Sequence, residues 1–145
     1  MTLLPIFGAF IGFGFGWWIE GFLYHLHERY ESMYKVTLFD KIYNGVTIVK
    51  LIILLYIISI LEWDANDSFA LLSAICFYFY FHRSAMYQRR NYLSIRNFYM
   101  GWISDGGRVS EGVLDKQFPF LKLNKFRMAV FLLGIIFYFI YGITN

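Results

Sequence analysis

Cysteine is nearly absent. Cys76 stands alone in 145 residues, so neither an intrachain disulfide nor a paired-cysteine metal motif can form. Charge is scarce too: Asp, Glu, Lys and Arg make up 16% of the chain, against ~25% in an average soluble domain. The N-terminal residues Met1 to Pro5 carry no positive leader of the secretory kind, so the first apolar segment is expected to remain as a membrane span. No Ser/His/Asp set stands at a usable spacing. The Gly12-Phe13-Gly14-Phe15-Gly16 run lies inside an apolar segment and follows no strand, which excludes a nucleotide-binding loop. The chain is therefore expected to be non-enzymatic and without a cofactor.

What is abundant is apolar surface. Hydrophobic residues make up 59% of the chain and aromatics 23%, and the mean hydropathy is +0.50. One domain of this length buries a small share of its surface, so a water-soluble globule has no room for so many Phe, Tyr, Ile and Leu side chains. An integral membrane protein is the expected class. The net charge of +3 is too mild to indicate nucleic acid as a partner.

Four apolar segments stand out, at about residues 3–24, 46–61, 68–81 and 128–143. The expected fold is a single all-α membrane domain of four transmembrane helices. The second and third would form a tight hairpin around the polar turn Glu62 to Asp67. Both are short against the ~20 residues that a span requires, and a re-entrant hairpin is the alternative. All 13 Lys and Arg residues fall on two alternate connections. Arg29, Lys35, Lys41 and Lys50 lie between or just inside the first two segments. Arg83, Arg89, Arg90, Arg96, Arg108, Lys116, Lys122, Lys125 and Arg127 lie between the last two. Basic loops resist translocation, so residues 25–45 and 82–127 are expected in the cytoplasm and both termini outside. Minimal outer loops fit a bacterial inner membrane, with a mitochondrial inner membrane as the alternative. Neither 25–43 nor 82–100 contains Pro or Gly, so the first and third helices are expected to run on toward Tyr34 and Met100, with Gly101 the first breaker and Pro119 blocking a later helix.

Several groups are candidates for function. Gly8, Gly12 and Gly16 fall in one helical row, which lets another helix approach closely. Glu20 is expected to continue that row near the cytoplasmic boundary, where Lys50 on the next helix lies at the right depth to pair with it. His25, His27, Glu31 and His82 form a weak metal set, with no known ligand spacing. Arg83, Arg89, Arg90, Arg96 and Trp102 belong to a basic, aromatic cytoplasmic region suited to anionic lipid or a soluble partner. Together these point to a structural or assembly subunit of a larger membrane complex, homo- or hetero-oligomeric, docking through the glycine row. A small oligomeric channel using Glu20 and Lys50 is the first alternative, and a membrane enzyme acting on a lipid-linked substrate is the second.

Overall fold

The structure is a computed structural model, and it describes residues 3–23, 36–61, 64–91, 99–105 and 117–144. Nearly all of the described residues are helical, and there is no strand among them. Helix α1 covers Leu4–Leu23, with Pro5 in its first turn, where a missing N–H costs nothing. Its segment Phe15–Glu20 is a π-helix, in which the Gly21 N–H reaches back five residues to the Gly16 carbonyl. Helix α2 runs Val36–Ile60, starting well before the expected apolar segment at 46. Helix α3 runs Ala65–Asn91. Asp64 caps it by accepting the Asp67 N–H at 2.6 Å, which fixes where the helix begins. A short helix α4, Met100–Ile103, follows; Gly101 lies inside it rather than ending a helix. Pro119 opens a 3₁₀ turn, Pro119–Lys122, and α5 covers Asn124–Thr144.

Two of these helices, α1 and α5, are long and apolar enough to cross a membrane, rather than the four expected. The shortfall has a simple cause. The apolar part of α2, Asn44–Ile60, is short. In α3 the apolar run is bounded by Asn66 and Asp67 at one end and by His82, Arg83, Gln88 and Arg89 at the other. Only 22% of the apolar window of α1 and 17% of that of α5 is buried inside the chain.

Helix α3 is the centre of the bundle. Positions 8, 12 and 16 of α1 meet positions 74, 78 and 82 of α3 in the same order, so the two helices run parallel. Helix α5 runs antiparallel to α3, since Asn66 bonds the Thr144 carbonyl at one end and Ser84 meets Arg127 at the other. Between them the Ser73 hydroxyl donates to the Gly134 carbonyl at 2.8 Å, and Phe131 packs on Phe77 and Tyr80 at centroid distances of 5.4 and 4.7 Å. These rings interlock around a glycine notch: a Cβ at Gly134 would stand 2.8 Å from the Phe77 ring. Helix α2 lies beside α1 and α3 but is held off them. It leaves Ile48, Val49, Leu51, Ile52, Leu55, Tyr56 and Ile60 exposed.

A candidate functional site where three helices meet

The glycine row of α1 faces α3 of the same chain. A Cβ at Gly12 would sit 2.6 Å from the Tyr78 carbonyl oxygen, and one at Gly8 or Gly16 would overlap the carbonyls of Ala74 or His82. Backbone thus lies against backbone over three successive turns, and the row is occupied within the chain. The π-turn then changes the register. Because that turn closes over five residues, the row passes from Gly16 to Gly21, where a Cβ would stand 2.7 Å from the Arg89 Cβ. Glu20, expected to continue the row, is displaced to its flank and turned toward α2.

There Glu20 joins a cluster supplied by three helices. One carboxylate oxygen, Oε1, pairs with Lys50 Nζ of α2, and the other, Oε2, with His82 Nε2 of α3. Lys50 Nζ lies 3.3 Å from His82 Nε2. The hydrogen-bond pattern assigns the roles: both carboxylate oxygens accept, so Nε2 carries a hydrogen and donates it to Glu20. Tyr78 stacks on the His82 ring at 5.2 Å, and Lys50 lies over the Phe15 ring at 5.4 Å. Side-chain exposure is 23% for Lys50, 14% for Glu20 and 11% for His82. A carboxylate so shielded needs partners at both oxygens, because losing Lys50 leaves an uncompensated charge and losing His82 leaves a shielded oxygen without its donor. Chemically the cluster can hold α2 against the bundle, carry a proton on imidazole or carboxylate, or bind a polar group at its exposed edge.

A second polar node lies beyond it, built on Arg127, which is fully buried. Its guanidinium donates to the Ser84 hydroxyl and the Gly101 carbonyl, both at 2.8 Å, and to the Ser104 carbonyl, and it lies 5.0 Å from the Tyr87 ring. Gln88, also fully buried, accepts the Gly101 N–H at 2.7 Å. Asp105 accepts the Asn124 N–H at 2.6 Å and so places a carboxylate at the start of α5, where the helix dipole favours it. The node ties α3, α4 and α5 together. In the sequence Arg127 is one basic residue beside an apolar run, and nothing local connects it to Ser84 or Gly101.

The basic aromatic region is less open than expected. Arg83 is buried, donates to the Tyr87 hydroxyl at 3.1 Å and lies over the Phe79 ring, so it is turned away from any soluble partner. Trp102 packs inward against Phe13, Tyr80 and Phe81. Arg89 is half-buried over the rings of Trp17 and Phe22. An aromatic face attracts a guanidinium, and here that attraction is satisfied inside the chain. His25, His27, Glu31 and Arg96 lie outside the described residues, as does the side chain of Arg90. Among the described residues no three His, Cys, Asp or Glu side chains converge as a metal site would require.

No protein-family model, curated protein or solved structure matches the chain.

Proposed function

We propose that this chain is a four-span, non-enzymatic subunit of a larger membrane complex, in a bacterial inner membrane, with both termini outside and residues 25–45 and 82–127 in the cytoplasm. The observation that carries the reading is α2. Its apolar side chains are left exposed, and its one charged side chain within the apolar stretch, Lys50, is tied to Glu20. A helix tied to the bundle at Lys50, with Ile48, Leu51, Ile52 and Leu55 exposed along its length, presents an apolar face to lipid or to another subunit. With the glycine row filled by α3, docking falls to α2 rather than to that row. The alternation of directions supports the topology, since parallel α1 and α3 with antiparallel α5 agree with four crossings. Short spans are tolerated because flanking side chains extend them and the bilayer thins locally. The cytoplasmic contact with anionic lipid or a soluble protein then rests on basic residues other than Arg83.

Purification in mild detergent, followed by mass spectrometry of co-purifying chains, tests this. A homo-oligomer or a stoichiometric partner supports it; a monodisperse monomer with no companion rules it out. His82 gives one specific reason to keep the channel alternative, because it adds a titratable ring to the Glu20–Lys50 pair at one depth. Normal assembly of Glu20→Gln, with loss of a pH-dependent vesicle conductance, would put that alternative first.

A further inference from the structure

Arg83, Arg89 and Arg127 are the arginines whose side chains are described, and they are treated differently by their surroundings. Two of them reach oxygen acceptors within the chain. Arg83 donates to the Tyr87 hydroxyl, and Arg127 to the Ser84 hydroxyl and the carbonyls of Gly101 and Ser104. Arg89 meets ring faces instead. Its guanidinium lies 5.4 Å from the Trp17 ring centre and 5.7 Å from that of Phe22. Its Nε is buried without a partner, and no carboxylate among the described residues pairs with it. A ring face attracts a cation but gives its in-plane N–H donors no oxygen, so the charge still calls for an anion.

The local fold places that charge at one depth. Trp17 and Phe22 are five residues apart, the closure of the π-turn, which brings both rings to one side of α1. Gly21 between them lets Arg89 pass, since a Cβ there would stand 2.7 Å from the Arg89 Cβ. From Leu4 to Gly21 is about 26 Å at the helical rise. With the N-terminus outside, Arg89 crosses α1 at the cytoplasmic edge of the ~30 Å hydrocarbon core. Trp18 and Phe22, 68% and 41% exposed, present aromatic rings at the same level, where such rings sit among headgroups. The anion that a bilayer supplies there is the phosphodiester of its phospholipids, and a guanidinium fork matches two phosphate oxygens.

We infer that Arg89, framed by Trp17 and Phe22, binds the phosphate of a phospholipid of the cytoplasmic leaflet. This narrows the lipid contact proposed above to one residue and rests on the same membrane reading. Protein in phospholipid vesicles is washed in alkaline carbonate, then solubilised in mild detergent. It is titrated with dioctanoyl phosphatidylglycerol, with phosphate-free dioctanoylglycerol, and with inorganic phosphate alone, and native mass spectrometry reads the lipid bound. The parent and Lys41→Met, which removes an exposed basic residue of α2, are expected to bind phosphatidylglycerol alike. Arg89→Met keeps an apolar stem over the rings and is expected to bind it about ten-fold more weakly, the loss of a charge-assisted contact. Dioctanoylglycerol is expected not to distinguish Arg89→Met from the parent. In the unmutated protein, phosphatidylglycerol is expected to slow phenylglyoxal modification of Arg89, read by peptide mass spectrometry, which keeps the test decisive if Arg89→Met does not fold. Equal binding by the parent and Arg89→Met, or unchanged modification of Arg89, in protein that stays in the washed vesicles overturns the site alone. Protection by inorganic phosphate as strong as by the lipid overturns the lipid assignment in favour of a soluble phosphate. Release by carbonate overturns the membrane reading and the site with it.

Discussion

Replacing Gly12 by leucine tests the central packing of the molecule. A Cβ there lies 2.6 Å from the Tyr78 carbonyl oxygen and 3.1 Å from the His82 nitrogen, where ordinary contact begins at 3.4 Å. One methyl group therefore requires α1 and α3 to part by about 0.8 Å, taken as the difference between those distances. Neither neighbour is a flexible side-chain tip; both are backbone of a helix that also packs against α5. Overpacking of this kind costs ~1–3 kcal/mol, so Gly12→Ala is expected to lower the unfolding midpoint by about 3–10 °C for a chain of this size. Leucine adds three more carbons and is expected to exceed that range, pulling His82 from Glu20 as the helices separate. Gly14, two residues on, has nothing within 4 Å of its would-be Cβ, so Gly14→Leu is expected to stay within about 0.5 kcal/mol of the parent. The assay is built in. Cys76 is the only cysteine, is buried, and faces the Gly134 notch of α5, so its reaction with a thiol-reactive dye on heating reports the opening of the bundle. Equal midpoints for Gly12→Leu and Gly14→Leu would refute the parallel α1–α3 seam.

Glu20→Gln is expected to lower the yield of folded protein in membranes, and Glu20→Gln with Lys50→Met to recover part of it; a fully buried pair broken on one side costs ~3–5 kcal/mol, and less applies here because Lys50 is 23% exposed. Quantitative gel filtration of both variants measures this, and no rescue by the double variant would count against the anchoring role. Arg127→Met strips the Gly101 and Ser104 carbonyls of their donor, at ~1–3 kcal/mol for each buried group left unpaired. Arg127→Lys is expected to restore little, because one ammonium cannot replace a planar fork that reaches three acceptors; limited proteolysis across residues 99–123 is the measurement. Asn66→Cys on a Cys76→Ser background is expected to react with a membrane-impermeant maleimide from the outside, and labelling only from the cytoplasmic face would overturn the topology.

Composition and periodicity by themselves determined the helical class, because too few charges and too many apolar side chains leave helices as the way to satisfy the backbone. They also marked the apolar segments, since hydropathy is a local sum, and put Glu20 and Lys50 at a common depth. The spacing of Gly8, Gly12 and Gly16 is equally local, and it marked a face that another helix can approach. Which helix does so was decided only in three dimensions: the neighbour is α3, more than sixty residues away, and its carbonyls fill the space the glycines leave. The π-turn at Phe15–Glu20 is tertiary in the same sense. It shifts the register by one residue, sends Gly21 into the row and swings Glu20 toward Lys50 and His82, which counting in steps of four cannot anticipate. Arg83 and Arg127 carry the point furthest. A basic residue beside an apolar run reads as surface charge, yet here the rings of Phe79 and Tyr87, the Ser84 hydroxyl and the carbonyls of Gly101 and Ser104 compensate the guanidiniums inside the chain. The partners of Arg83 stand one turn to either side of it on α3, whereas those of Arg127 come from α3 and from residues 101–104, and only packing brings these within its reach.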